Sequence, residues 1–292
     1  MSADQFVQYL VSGVTQGSIY ALIGLGFTMI YAVTKIINFA QGEFVMLGGM
    51  TMYVMLDSFG LPLAGGLFLA LIIVTMVGMA LEIVAIRPAR NASVISLIII
   101  TIGASILIRG VAGQLWGKEA RPMPPFTGEH SLHFLGASIL PQTLWVLGVT
   151  LLVMLVLHLF FNRTMLGKAL RACSSNRRAS ALMGINARTM STISFGLSAL
   201  LGGLGGVLVA PMSMTSYDVG VMLGLKGFVG AAMGGFTSQL GAVLGGMGLG
   251  IFEALSAGYI SSAYKDAIAL SVLFAVLFVR VGLVAREGSA TA

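Results

Sequence analysis

A chain of 292 residues with 57% hydrophobic and only 9% charged residues is not a soluble domain, in which roughly a quarter of residues carry charge. Its mean hydropathy of +0.98 marks a polytopic membrane protein, and at about 20 apolar residues per crossing the length allows on the order of eight to ten passes, with no room for a separate soluble domain. The net charge of +6 does not point to nucleic acid, because the Arg and Lys residues fill gaps between apolar runs and form no basic face.

In chain order the apolar runs cover 9–33, 37–57, 63–86, 93–113, 141–161, 190–211, 222–238, 240–260 and 264–283, which we read as nine crossings. No basic stretch precedes the first run, so no cleavable signal peptide is expected. The second run opens on Ile36-Ile37-Asn38-Phe39-Ala40-Gln41-Gly42-Glu43-Phe44. Polar groups in hydrocarbon are costly unless paired or facing water, which makes Asn38, Gln41 and Glu43 functional candidates, with Gly42 among them. The same spacing also fits a helix start, Asn38 capping and Gln41 three residues on as in a capping box.

Glu82, near the end of the third run, has Arg87 within reach as a partner. Arg109 and Asp218 sit near the outer ends of their segments and read as interfacial anchors or contacts to an external partner. The segment 114–140 mixes Lys118 and Arg121 with Glu119 and Glu129, and its Pro122, Pro124, Pro125 and Gly128 predict an ordered extracytoplasmic cap. His130, His133 and His158 lack metal-ligand spacing, so no metal site is expected.

The loop 162–188 is the longest polar segment between the runs and holds six Arg/Lys residues and no Asp or Glu. By the positive-inside rule it is cytoplasmic, and alternation then also places Lys35, Arg87, Arg90, Arg280 and Arg286 inside, with the amino terminus outside and the carboxyl terminus inside. Its first part extends a helix out of the membrane; Ser175 or Asn176 then caps a short helix over 177–183, ended by Gly184. That helix is basic on one side and small or apolar on the other, a shape suited to docking in a groove of a soluble protein. A solvated loop held by anionic membrane lipid is the alternative. The single cysteine, Cys173, excludes an intrachain disulfide and reads as an ordinary cytoplasmic thiol.

The run 222–238 is short and contains Lys226. A full or broken crossing is favoured over a re-entrant hairpin, which would send the Arg280/Arg286 tail outside. Glu253, in the middle of 240–260, either pairs with Lys226 or lines a path. The 39 glycines include Gly13/Gly17, Gly202/Gly206, Gly230/Gly234, Gly241/Gly245 and Gly246/Gly250, a spacing that lets helix backbones approach closely in lipid. A faint repeat relates Ser18–Gly24 to Gly196–Gly202, and Phe44-Val45 with Gly48-Gly49 to Phe228-Val229 with Gly234-Gly235. The first unit starts outside and the second inside, as in inverted-repeat transporters. The single transmembrane domain 1–292 is thus divided into repeat one (about 9–113), a connecting helix (about 141–161), the loop 162–188 and repeat two (about 190–283), a 4+1+4 all-α arrangement.

Enzyme motifs are absent: no G-x-x-x-x-G-K-[ST], no G-x-S-x-G and no H-E-x-x-H occurs, so neither catalysis nor a cofactor is expected of this polypeptide. Without its own ATP site the chain needs other subunits for water-soluble work.

The residues Gly13-Val-Thr-Gln-Gly-Ser-Ile-Tyr-Ala-Leu-Ile-Gly24, the motif Asn38-Phe-Ala-Gln-Gly-Glu43 and the loop pieces Leu166-Gly-Lys-Ala-Leu-Arg-Ala172 and Leu182-Met-Gly-Ile-Asn186 resemble the inner-membrane permeases of ABC importers for branched-chain amino acids. The resemblance covers most of the chain. It implies a helical core similar to the vitamin B12 permease type without its first helix. It also implies a second related permease, two cytoplasmic ATPase subunits and a periplasmic binding protein as partners. Within 162–188 it implies a coupling helix seated on an ATPase, involving Gly167, Arg171, Asn176, Arg177, Arg178, Ala181, Leu182 and Gly184. The translocation path is expected at Asn38, Gln41, Gly42, Glu43, Phe228 and Glu253. The resemblance implies branched-chain amino acids as cargo, with urea, short amides or aromatic acids, which close relatives of the family carry, as the alternative. The rival class is an ion-coupled carrier, which would draw on the membrane carboxylates Glu43, Glu82 and Glu253.

Overall fold

The structure, a computed structural model, describes residues 3–128, 130–134 and 137–272, together with 274, 275 and 278. Ten α-helices dominate: α1 (Ala3–Thr34), α2 (Gln41–Asp57), α3 (Leu63–Leu81), α4 (Val94–Trp116), α5 (Pro141–Arg163), α6 (Met165–Ser175), α7 (Arg177–Leu182), α8 (Ala187–Ser213), α9 (Val219–Gly234) and α10 (Gln239–Tyr259). A π-helical turn, Glu82–Ile86, continues α3, and a short antiparallel hairpin pairs β1 (Leu132–Phe134) with β2 (Ala137–Ile139).

Among the described residues, six helices are long and apolar enough to cross a membrane: α1, α3 with its π turn, α4, α5, α8 and α10. The runs 37–57 and 222–238 fold instead as shorter helices, α2 with 17 residues and α9 with 16. At a rise of about 1.5 Å per residue these reach roughly 24–26 Å, short of the hydrocarbon thickness of about 30 Å. Short helices and irregular backbone survive at that depth only where protein covers them. The first 12 residues of α2, Gln41 to Met52, are all buried. Of the last run, 264–283, residues 265–272 are helical; the rest of it, with the Arg280/Arg286 tail, falls largely outside the described residues, as does Glu129.

Two helices form the centre. The membrane windows of α1 and α8 are 83% and 78% buried, against 11% for α4, so α4 presents most of its apolar surface outward, as a lipid-facing or partner-facing helix does. Around the central pair, α1 packs on α10 and α9, and α8 packs on α3 and α2; α2 also touches α9. Each glycine pair singled out by spacing lies at a helix crossing: Gly13/Gly17 meet Met247 and Gly250, Gly206 meets Val45, and Gly230/Gly234 meet Gly241, Gly245 and Gly246. Where lipid offers no hydrophobic drive, such backbone contact supplies the packing energy.

Both central helices end alike. Thr34 is followed by Lys35 at φ 60° and Ser213 by Met214 at φ 61°, the two non-glycine residues with positive φ among the described residues. Each then leads through a short non-helical stretch into a short helix, α2 or α9.

The described parts of 117–140 make contacts to the helices. Arg121 and Thr215 exchange backbone hydrogen bonds (2.7 and 2.9 Å). Gln8 donates to the Ser138 carbonyl (3.2 Å) and accepts from its N–H (2.8 Å). Met123 is buried against α2, α3 and α8.

Candidate functional site

After Lys35 the chain stays non-helical to Ala40, and Asn38 shapes the turn into α2: its Oδ1 accepts from Ala40 N–H (3.1 Å) and its carbonyl from Gln41 N–H (3.2 Å). The expected capping box does not form. Ala40 is the N-cap of α2 and makes no side-chain cap. Gln41 instead turns to α8, donating from Nε2 to the Ser198 carbonyl (3.1 Å) and accepting at Oε1 from Ser198 Oγ (2.5 Å), with the Gly26 carbonyl a second acceptor for that hydroxyl (2.7 Å). A fully buried amide with two long-range bonds is worth more than a local cap. Gln41 is thus a brace between α1, α2 and α8. Asn38 Nδ2 is buried with no partner among the described residues.

One residue on, Gly42 crosses α9 backbone to backbone. A β-carbon on Gly42 would collide with the carbonyl of Gly220, and one on Gly220 with the carbonyl of Gly42, so only glycine permits this crossing. The contact carries Glu43 to the seam between α2, α4 and α9.

Glu43 is 1% exposed. Its Oε1 accepts from Ser105 Oγ of α4 (2.7 Å), whereas Oε2 has no hydrogen-bond partner among the described residues. Beside it lies a cavity of about 240 Å³ bounded by Glu43, Ser105 and Arg109 on the polar side and by Phe27, Phe39 and Phe228 on the apolar side. The Phe228 ring lies 5.7 Å from both Phe27 and Phe39, centroid to centroid. Small-molecule pockets of roughly 300–1,000 Å³ serve drug-sized ligands; this one suits something smaller. Polar residues of α4 fall on one stripe: Thr101 Oγ1 accepts from Phe39 N–H (3.1 Å), Ser105 holds Glu43, and Ser105 and Arg109 line the cavity. Reading Arg109 as an anchor or external contact missed this stripe, whose signal in the sequence is three polar residues four apart in an apolar helix.

Of the residues expected on the path, Gly42, Glu43 and Phe228 come together at this cavity. Glu253 does not. Its Oε1 accepts from Lys226 Nζ (2.7 Å) and its Oε2 from Tyr20 Oη (2.9 Å), while Lys226 also bridges to Asp266 (2.7 Å). Pairing therefore takes Glu253, because a buried carboxylate left without a cation is far costlier than one whose desolvation is partly offset by an ammonium on the neighbouring helix. Glu82 is likewise committed, accepting from Arg87 Nη2 (2.8 Å) and Thr192 Oγ1 (2.7 Å).

At the other end, the loop 162–188 folds as two helices. The expected continuation of α5 is interrupted at Thr164, whose extended backbone (ψ 150°) ends α5 and whose Oγ1 accepts from Gly167 N–H (3.0 Å) to start α6. Gly167 abuts the Phe160 carbonyl at this corner. Asn176 caps α7 through Oδ1 to Ala179 N–H (3.0 Å), and Gly184 leaves it at φ 82°. Arg177, Arg178 and Ala181 are exposed, and Leu182 and Met183 are 89% and 82% exposed. Arg171 donates to Asn162 Oδ1 (3.0 Å) across the corner, and Cys173 lies on the buried face of α6. Two large apolar tips beside two guanidinium groups make a knob that water does not favour.

Residues 9–277 match the family described as the branched-chain amino acid transport system / permease component. The chain belongs to this family. It is 36% identical over 290 residues to the high-affinity branched-chain amino acid transport system permease protein LivH of Escherichia coli, covering 94% of this chain and 93% of that one. To BraD of Pseudomonas aeruginosa, which carries the same description, it is 33% identical over 94% of both chains. Among solved structures, PsaBC from Streptococcus pneumoniae in complex with Fab has a similar fold, with a TM-score of 0.50, 13% identity and coverage of 92% of this chain and 90% of that one. This member of the family is a multi-pass helical membrane protein whose interior carboxylates fall into two kinds, paired and open.

Proposed function

We propose that this chain is a permease subunit of an ATP-driven importer that moves branched-chain amino acids across a bacterial inner membrane, with the path running past the cavity between α2, α4 and α9. The observation that carries the reading is the pairing, in one small cavity, of a half-satisfied buried carboxylate with an aromatic wall. Polar cargo groups find a partner there and an apolar side chain finds a dry surface. Membership of the family supports the cargo class, because the relatives named above are described as branched-chain amino acid permeases.

ATP is hydrolysed by separate subunits, and the α7 knob is the element through which their motion enters, acting as a coupling helix with Gly167, Arg171, Asn176, Arg177, Arg178, Ala181, Leu182 and Gly184. Its cap, its positive-φ stop and its exposed Leu182 and Met183 support docking in a protein groove. A second related permease, two ATPases and a periplasmic binding protein complete the assembly. The loop 162–188 faces the cytoplasm, the amino terminus lies outside, and nine membrane segments, two of them the short protein-covered α2 and α9, form an inverted 4+1+4 repeat of the vitamin B12 permease type. The matched endings at Lys35 and Met214 and the reciprocal packing of α1 on α10 and α8 on α3 support that repeat. Alternating access then follows from two packed halves shifting between discrete arrangements.

An ion-coupled carrier would need a carboxylate relay, yet Glu82 and Glu253 are held in ion pairs, which leaves Glu43 without a second member. The test is to purify the tagged chain with its co-expressed neighbours and reconstitute it. Bound ATPase subunits and uptake that follows ATP are expected; uptake that follows an ion gradient in their absence would refute the reading.

A further inference from the structure

The cavity beside Glu43 holds two opposite charges that do not satisfy each other. Glu43 Oε2 is buried and accepts no hydrogen bond, and Arg109 makes no ion pair or hydrogen bond among the described residues, although its charge acts on Glu43 and both line the same space. Every other buried carboxylate among the described residues is closed by a cation, Glu82 by Arg87 and Glu253 by Lys226. The exposed Asp218, whose charge also acts on Glu43, accepts from Ser216 Oγ at one oxygen (2.6 Å) and does not line the cavity. A buried carboxylate oxygen left without a donor costs stability, and beside an uncommitted guanidinium on the same cavity wall it makes a site that a molecule carrying both a cation and an anion would complete.

We propose that Glu43 and Arg109 form a clamp for the zwitterionic head of an amino acid: Glu43 Oε2 accepts from the α-ammonium, the Arg109 guanidinium donates to the α-carboxylate, and Phe27, Phe39 and Phe228 receive the apolar side chain. Planar donors on Arg match a carboxylate in a way Lys does not. With only one carboxylate oxygen free and one guanidinium half-exposed, the clamp holds cargo weakly, as a path must if solute is to leave it. The inference rests on the reading of this cavity as part of the path and names the part of the solute that it recognises.

The test uses the complete reconstituted assembly carrying Ile106→Cys, a position on the cavity wall, and the rate of its modification by a methanethiosulfonate reagent; the parent chain, whose Cys173 is buried, gives the background. Leucine at high concentration should slow modification several-fold. 4-Methylpentanoate, which lacks only the ammonium, and isoamylamine, which lacks only the carboxylate, should not. Adding Arg109→Gln should remove the protection by leucine, and Arg109→Lys should restore part of it; if Arg109→Gln fails to assemble with the ATPases, the comparison of leucine with its one-headed analogues decides alone. Equal protection by all three compounds, or by none, overturns the clamp. Trapping the ATPases with ATP and vanadate separates the two layers. A modification rate indifferent to trapping removes the cavity from the path, whereas a rate that responds to trapping but not selectively to leucine removes only the clamp.

Discussion

Glu43 and Glu253 are both almost fully buried in the membrane body, yet one is finished and the other is not. Glu253 has Lys226 on one oxygen and Tyr20 on the other, with Asp266 sharing the ammonium. Glu43 has one serine on one oxygen and a cavity beside it. Burial alone therefore does not mark function in a membrane protein. The mark is an incomplete set of partners, since a charge in the interior is expensive and a scaffold completes it.

Breaking the finished site should have the largest effect on folding. Lys226→Met leaves Glu253 without its cation, and a loss of about 3–5 kcal/mol is expected from breaking a buried pair, seen as a lower melting temperature in detergent. The double change Lys226→Met with Glu253→Met should recover much of that loss. If the double variant folds well but transports nothing, Glu253 belongs to the path after all and the contrast collapses.

The open site should behave in the opposite way. Glu43→Gln keeps an acceptor for Ser105, so stability should move by about 1 kcal/mol or less, while uptake by the reconstituted importer falls at least about tenfold, the equivalent of about 1.4 kcal/mol. Gly42→Val, on the neighbouring residue, should prevent assembly outright, because its side chain meets the backbone of α9; an intact, transporting variant would mean the α2–α9 crossing is looser than described.

The proposed entry of energy at α7, away from both carboxylates, sharpens the contrast. A residue with a β-branched side chain at the left-handed position of Gly184 (φ 82°) carries a strain of roughly 1–2 kcal/mol. Gly184→Val should therefore distort the stop of α7 and uncouple ATP hydrolysis from uptake, leaving the Glu43 cavity unchanged in cysteine-labelling experiments. The smallest effect is expected from Asn176→Ala, which removes the cap of α7 at a cost of about 1 kcal/mol and should lower coupling efficiency without abolishing transport.

What the sequence disclosed follows from how local each signal is. Asn176 and Gly184 bound α7 because capping and positive φ act within a few residues, and the glycine pairs mark crossings because only small residues let backbones touch. Glu43 stood out because a carboxylate in an apolar run has few innocent explanations. The partners of these groups were not legible. Gln41 bonds Ser198, 157 residues away, and this contact defeated the capping-box reading. Glu253 had two open readings until the fold brought Lys226 beside it. Arg109 reads from sequence as an end-of-helix anchor or external contact, and only the packing of α4 on α2 brings Thr101, Ser105 and Arg109 onto one stripe against Phe39, Glu43 and the cavity. The break at Thr164 was hidden because a threonine between two helical patterns is a common residue doing an uncommon job.

The central claim is that the cavity at Glu43 lies on the route of an ATP-driven importer. Its most direct test measures leucine uptake and ATP hydrolysis together in proteoliposomes holding the complete assembly with Glu43→Gln. The account predicts that hydrolysis stimulated by the loaded binding protein persists while uptake per ATP collapses; uptake per ATP equal to that of the unaltered protein would contradict it.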